Sequence, residues 1–558
     1  MSSALTMARP DVKSEREEND APENEWTIMI FFAGDPHLSP SMTAQLKSIK
    51  DAGFQKNTTV LIHYDPNEKG VATTTFDINR KQKADTLKIN GNPGTRIGDG
   101  KDPFVRNLLE DSIPNGATRS QNAVEALKTF LTLALDKHRA QHYVLFCVGH
   151  GVIVGNDFFL PDRQPESAIT LQQLGEILSG FKTCAGLMGG GEVELIGLHS
   201  CSMSAIEVAY QLKGVAKCLM ATEGISFVSS WPYRQLMKKV LKTIDDAKKV
   251  GEKVDVAEMI TSVQRLALHN STDFMFSGLS ADLCLSSLEP AKIDALTAPI
   301  QALTKALKEG LKDRRGRELI TLAHLKAQSY WQETYTDLYD FCFCLEQQCL
   351  EEGGKLQKDM AAACKKLREK LEESPDNVII QSDFFGPLFQ YSHGYSVFFP
   401  WARPIADVPE DDMILRYKNY EFTKALKEDS WLSFLEAYFA ATKRHSREDE
   451  DKVAKKKEEH AAQEETKEET SVESESINNG SSAVPNMGTV DSLAGNPEKT
   501  TPTLDAEKTT PTLTEAVSCA CSVKNYPMQF FRSERAQQDA NPDAPKPKET
   551  PAHAPAKS

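Results

Sequence analysis

The sequence is short of positive charge, of long apolar runs and of any spacing that would pair its cysteines, and each shortage closes a class of function. Lys and Arg number 65 against 80 Asp and Glu, which leaves a net charge of −15. Nucleic-acid binders draw affinity from clustered cations that neutralise phosphates, so this balance argues against DNA or RNA as a partner. No uninterrupted apolar run approaches the roughly 20 residues needed to cross a bilayer, so no membrane span is expected. Met1 to Asn24 holds no apolar segment of the kind a secretory signal carries, and the expected location is cytoplasmic. The 11 cysteines form no disulfide-type framework, and Cys147, Cys218 and Cys284 sit inside apolar runs, as reduced, buried thiols do. No Gly-rich segment ends in the Gly-Lys-Ser/Thr of a phosphate loop.

What is present is an alternation of strands and helices. Trp26 to Phe32 and Thr59 to Tyr64 are dense apolar runs with the profile of strands buried on both faces, and Pro40 to Gly53 between them has helical spacing. That order predicts a parallel sheet with a right-handed crossover. Val71 to Asn90 reads as a hairpin excursion. Ser120 to His138 predicts a helix with Ser120 as its cap, feeding a strand at Tyr143 to Val148. Thr170 to Leu178 predicts a further helix, Cys184 to Gly191 a Gly-rich loop, and Val193 to Leu198 a strand. A helix at Met203 to Leu212 and a strand at Val215 to Ala221 follow. The fold class is therefore α/β, a doubly wound, mostly parallel sheet flanked by helices.

Further on, Tyr233 to Leu268, Ala291 to Leu311, Thr334 to Leu350 and Leu356 to Leu371 read as helical, with strands at Leu279 to Leu285 and Gly394 to Phe399. Trp431 to Tyr438 is the last amphipathic helix. The expected organisation is a disordered start over 1–23, a catalytic core over 24–290 and a helical region with a returning strand over 291–444, part of the same unit. Beyond it, 445–558 is a disordered tail rich in Lys/Glu and then Ser, Thr and Pro. Its short repeat, Glu498 to Leu504 and again Glu507 to Leu513, is too polar for a solenoid.

Two side chains carry the chemistry. His150 follows the strand Tyr143 to Val148 and Cys201 follows Val193 to Leu198, each where ligands bind in open α/β sheets. A thiol becomes a competent nucleophile with help from a nearby base, and the helix expected just after Cys201 would favour its thiolate. Gly151 leaves a backbone N–H able to approach a substrate. The interval of roughly 50 residues from His-Gly to the cysteine is that of the caspase arrangement.

These residues lie within motifs that resemble the clostripain family of cysteine peptidases, in the broad clan of caspases, gingipains and legumains. The motifs are Trp-Thr-Ile-Met-Ile-Phe-Phe-Ala-Gly-Asp at Trp26 to Asp35, His-Tyr-Val-Leu-Phe-Cys-Val-Gly-His-Gly at His142 to Gly151, and Ile-Gly-Leu-His-Ser-Cys-Ser-Met at Ile196 to Met203. Glu207 to Leu212, Ala221 to Gly224, Trp231 to Tyr233 and Gly394 to Pro400 continue it in the family's order. The resemblance implies a caspase-like fold, a His150/Cys201 dyad, an oxyanion site from the backbone N–H groups of Gly151 and Cys201, and a thioester intermediate on a peptide or protein substrate. No cofactor is required for that chemistry; calcium enters by resemblance only, and no metal ligands are assigned.

One position departs from the family. Its usual Phe-Asp-Ala-Cys motif places an aspartate two residues before the nucleophile, lining the pocket for a basic P1 side chain; here that position is His199. Residues two apart in a strand share a face, so His199 is expected to border the site. A neutral imidazole does not replace a carboxylate facing guanidinium, a loss of about 3 to 5 kcal/mol in a desolvated pocket, so preference for Arg or Lys is expected to weaken. Glu223, at the end of the next strand, is the candidate substitute acid. Lys182, in the loop between the dyad residues, is the candidate self-cleavage position. A second His-Gly pair, His393-Gly394, precedes its strand and is expected at the opposite end of the sheet from Cys201. Cys342, Cys344 and Cys349 lie on one helix with thiols on different faces, which favours packing over a zinc site. The rival to an enzyme is a pseudo-peptidase that keeps the fold and serves as a scaffold.

Overall fold

The computed structural model describes residues 24–34, 38–53, 55, 58–65, 74–78, 105–107, 122–163, 166–228, 230–269, 280–404 and 412–442. Ser120, most of the expected hairpin, both ends of the chain and the Glu498 to Leu513 repeat lie outside these residues.

Among the described residues, fifteen strands fall into three sheets. They are β1 (Asn24–Phe32), β2 (Thr58–Tyr64), β3 (Thr74–Ile78), β4 (Val105–Asn107), β5 (Ala140–Val148), β6 (Gly151–Val152), β7 (Phe158–Arg163) and β8 (Glu166–Ile169), then β9 (Glu192–His199), β10 (Cys218–Ala221), β11 (Ala281–Ser287), β12 (Ser329–Tyr330), β13 (Tyr335–Asp337), β14 (Ile379–Phe385) and β15 (Ser396–Phe398). Nine make the central sheet in the order β14-β11-β10-β9-β5-β1-β2-β3-β4. The run β10-β9-β5-β1-β2 is parallel, and antiparallel strands close it on both sides. The chain leaves β1 toward β2, then returns to lay β5 and β9 on the other flank of β1. This reversal opens a crevice at the carboxyl ends of the strands.

Every residue from Trp26 to Phe32 is buried, because both faces of β1 are covered. On one face Ile28, Ile30, Phe32, Val144 and Phe146 pack against α1 (Ser39–Ala52), α5 (Tyr233–Val250) and α6 (Val256–His269). On the other, Phe31 meets Phe130 of α2 (Ala123–Lys137), and α3 (Leu171–Leu187) packs against β9. Such fully buried large side chains each contribute on the order of 2 kcal/mol relative to exposure. Local caps match the packing: Asn122 accepts from the Glu125 amide, the position expected of Ser120, and Thr170 with Gln173 forms a capping box.

Several expectations change here. The α3 helix continues to Leu187, so the first half of the segment expected as a loop from Cys184 to Gly191 is helical and Lys182 lies on the helix. Gly394 to Phe399 supplies β15 of a small separate sheet, β12-β13-β15, not a central strand. The region beyond 290 does contribute a central edge strand, β14, antiparallel to β11. Its long helices, Pro290–Lys312, Leu338–Glu352 and Lys355–Leu371, pack on one another. Cys342, Cys349 and Cys364 are buried there, as a packing role requires.

Candidate active site

The pairing of β5 with β9 sets Val148 directly beside His199. His150 and Cys201 each follow that aligned pair by two residues, so the two side chains leave neighbouring strands at the same edge of the sheet. The backbone around His150 is pinned from three sides. Gly149 N–H donates to His199 O at 3.3 Å, Leu160 N–H donates to His150 O at 2.9 Å, and Gly151 enters a small antiparallel sheet through its pairing with Phe159. That β6-β7-β8 excursion carried no clear period in the sequence. Gly151 is required sterically, since a Cβ there would come within 2.7 Å of Ser200 Oγ and 2.8 Å of the Phe159 ring.

The chain does not remain extended after His199. Ser200 N–H turns back to Leu198 O at 3.0 Å, and Ser202 holds a left-handed φ of 51°. Positive φ at a non-glycine residue stores backbone strain. The helix behind Cys201, α4 (Ile206–Gln211), therefore begins five residues after it rather than two, and has six residues. Helix formation is pre-empted because Ser202 N–H donates to Gly224 O and Ser204 N–H to Thr222 O, while Ala205 bridges to Ser396. The expected contribution of a helix terminus to the thiolate is replaced by a different donor. Ser226 N–H points at Cys201 Sγ from 3.4 Å, and the thiol faces Ser226 O at 3.7 Å. No sequence pattern had marked Ser226.

His199 does not border an open pocket. It is 2% exposed and stacks on Trp231 with ring centroids 4.3 Å apart. Its Nε2–H donates to Phe227 O at 2.8 Å, and its Nδ1 accepts from the Tyr233 hydroxyl at 3.0 Å. Burial pulls its pKa down to about 3, outweighing the carbonyl bond, so the ring is neutral. The two-residue rule fails because the strand ends at His199 and the turn at Ser200 separates the directions of residues 199 and 201. In effect His199 anchors the segment that reaches Cys201. Trp231 and Tyr233 stood in a family motif, but only their stacking on this imidazole gives them a role.

Glu223 is also buried, at 0% exposed, and cannot line a pocket for a cation. Its Oε2 accepts from Gly394 N–H at 2.8 Å. Asp282 accepts from the N–H groups of Glu223 at 2.5 Å and Gly224 at 3.0 Å. A lone aspartate in the apolar run of β11 was a readable signal for such a role, since a buried carboxyl must find donors. His393 was misplaced by the sequence reading: its neighbour Gly394 also accepts from Ser204 Oγ at 2.5 Å, so the pair lies at the Cys201 end. Its imidazole nevertheless turns away, with Nδ1 at 2.7 Å from Tyr391 O and the ring stacked on Tyr339. Lys182, on α3, donates from Nζ to Gly214 O.

Among the described residues one group has the composition of a metal site, His142, Glu192 and Glu194. It lies at the amino ends of β5 and β9, away from the dyad. Lys217 Nζ sits 2.6 Å from Glu192 and 2.9 Å from Glu194, supplying the positive charge itself. Calcium takes six to eight oxygen ligands, which a histidine and two carboxylates already held by an ammonium do not provide. The carboxylates of Glu223 and Asp282 face amide donors instead. Among the described residues, this group does not fit calcium.

No described helix is long and apolar enough to cross a membrane. No curated protein matches the chain. Among solved structures, similarity is found to an inactive zymogen C11 protease from Parabacteroides distasonis, at 16% identity and a TM-score of 0.46, covering 73% of this chain and 99% of that one. It is also found to a secreted C11 cysteine protease from Bacteroides thetaiotaomicron in complex with an irreversible peptide inhibitor, at 15% identity and a TM-score of 0.44, covering 74% of this chain and 99% of that one. The family model described as the clostripain family matches residues 43–437, and the chain belongs to that family of cysteine peptidases.

Proposed function

We propose that the protein is an endopeptidase that cleaves through Cys201 and His150 and does not prefer Arg or Lys at P1. The observation that carries the dyad is the placement of both residues two positions beyond the aligned Val148–His199 pair. Cys201 gives its thiol proton to His150 and its sulfur attacks the peptide carbonyl, with the amides of Gly151 and Cys201 receiving the oxyanion. Collapse of the tetrahedral intermediate breaks the C–N bond, and the His150 imidazolium protonates the departing amine. A water then gives a proton to His150, attacks the thioester carbonyl and releases the acid and the thiol. His150, Cys201 and backbone amides supply this chemistry without a metal.

The reading of specificity rests on His199. The position that carries an acid in relatives is a neutral imidazole enclosed by Trp231 and Tyr233, and the nearby carboxyls of Glu223 and Asp282 are buried against backbone amides. Self-cleavage after Lys182 is disfavoured for a separate reason: a helical peptide bond does not offer itself in extended form. The cysteine usage supports a reducing, cytoplasmic setting.

A peptidyl ketone probe tests the dyad. Labelling is expected with the native chain and is expected to vanish with Cys201→Ala and fall steeply with His150→Ala, while His393→Ala leaves it. Absence of labelling in the native chain would favour a scaffold. A peptide library varied at P1 tests specificity, and a strong Arg or Lys preference would overturn that half of the proposal.

A further inference from the structure

Behind the segment that touches Cys201 lies a group of buried carboxyls to which the reaction assigns no part. Thr222 and Gly224 pair with Ser204 and Ser202 on the far side of the nucleophile's turn, and Thr222 Oγ1 donates to Ser200 O at 3.2 Å. Two residues on, Ser226 presents its N–H to Sγ. The segment is held from behind by Asp282, which takes the amides of Glu223 and Gly224, and by the Glu223 side chain, which takes the amide of Gly394. A Cβ at Gly224 would lie 2.5 Å from the Phe389 ring and 2.9 Å from Asp282 Oδ1, so the backbone is pressed onto its support.

Asp337 completes the group. Its carboxylate accepts from Asp340 N–H at 2.7 Å and His393 N–H at 2.6 Å and is itself fully buried. Through the Gly394 amide on Oε2, the Glu223 side chain links the segment facing Cys201 to the segment before β15.

We propose that Glu223 is a positioning residue for Cys201: its side chain, joined to the Gly394 amide, fixes the Thr222–Ser226 segment whose amide meets the thiol. This rests on Cys201 being the nucleophile. Burial first, then the charges of Asp337 and Asp282, push the pKa of the Glu223 carboxyl well up. Asp282 and Cys284 from β11, Tyr330 from β12 and Asp337 from β13 surround it.

The test compares peptide turnover and the rate of Cys201 alkylation by iodoacetamide in the full chain, with Cys201→Ser identifying the labelled site by mass spectrometry. Glu223→Ala should lower peptide turnover by about tenfold and change the alkylation rate, and Glu223→Gln, which keeps an acceptor for the Gly394 amide, should recover most of both. An Ala variant that matches the native chain in turnover and alkylation, or a Gln variant no better than Ala, would overturn the inference. If the native chain shows no Cys201-dependent turnover at all, the peptidase reading fails instead, and the alkylation rate still reports on Glu223.

Discussion

Ser226 donates its backbone N–H to the sulfur of Cys201 across 3.4 Å, although the two are separated by 25 residues and belong to turns after different strands. A donor on sulfur favours the thiolate, and hydrogen bonds to charged groups are worth about 1.5 to 3 kcal/mol. Ser226→Pro deletes that donor and should raise the pH midpoint of Cys201 alkylation by about one unit, whereas Ser226→Ala, which keeps the amide, should not. Equal midpoints for the Pro variant and the native chain would remove Ser226 from the account of thiol reactivity.

Restoring the family's aspartate should not restore basic specificity. His199→Asp places a carboxyl in a cage of Trp231, Tyr233 and Phe227 O, where it loses the stack and faces a carbonyl oxygen. We expect destabilisation of about 3 to 5 kcal/mol, read as a lower denaturant midpoint, without a gain in cleavage after Arg. A stable variant with new Arg preference would show that the cage opens.

Gly151→Ala should separate folding from chemistry. The added methyl meets Ser200 Oγ and the Phe159 ring, so the chain must shift beside His150. A displacement of about 1 Å costs on the order of 100-fold in rate, so kcat should fall by that order while KM and the circular dichroism spectrum change little. Native turnover would show that the oxyanion side tolerates the extra carbon.

Two opposing sets of buried groups should place the maximum of stability at mildly acidic pH. His63 and His199 are buried with pKa values lowered to about 3, so the unfolded chain takes up protons that the folded chain refuses. Their contribution is complete above about pH 6.5 and drains away as pH falls toward 3. Glu207 and Asp282 are pushed up to about 7 by burial, so the folded chain holds protons that the unfolded chain releases, and stability drains as pH rises from about 4 to 7. Melting temperature against pH should form a dome, and His63→Phe should lift its acid limb; an unchanged acid limb would contradict the assignment of His63.

Chelation should leave turnover alone. The cation between Glu192 and Glu194 is Lys217, at 2.6 and 2.9 Å, and nothing in the proposed reaction draws on a metal. Peptidase activity that disappears with EGTA and returns with calcium would require a site formed by other residues.

The strands that lead to His150 and Cys201 were legible because a parallel strand covered on both faces is apolar at nearly every position, as Ile28 to Phe32 and Val144 to Val148 are. The aligned delivery of His150 and Cys201 followed from their places after such strands. What could not be read was the fate of polar side chains. His199 and Glu223 look like pocket residues on a strand diagram, yet each is buried and bonded to partners at least 28 residues away, Phe227 for one and Gly394 for the other. Helix α4 was placed too early because Ser204 and Ala205 have their alternative partners in Thr222 and Ser396, contacts of long sequence separation that no local period records.

The bond from Ser204 to Gly394 joins positions 190 residues apart, and the amide of Ser396 returns to Ser204 O. During synthesis, the ribosome releases His150 and Cys201 long before the segment that braces the turn after Cys201. A nascent chain ending short of Ser396 therefore carries both side chains without the long-range bonds that hold that turn.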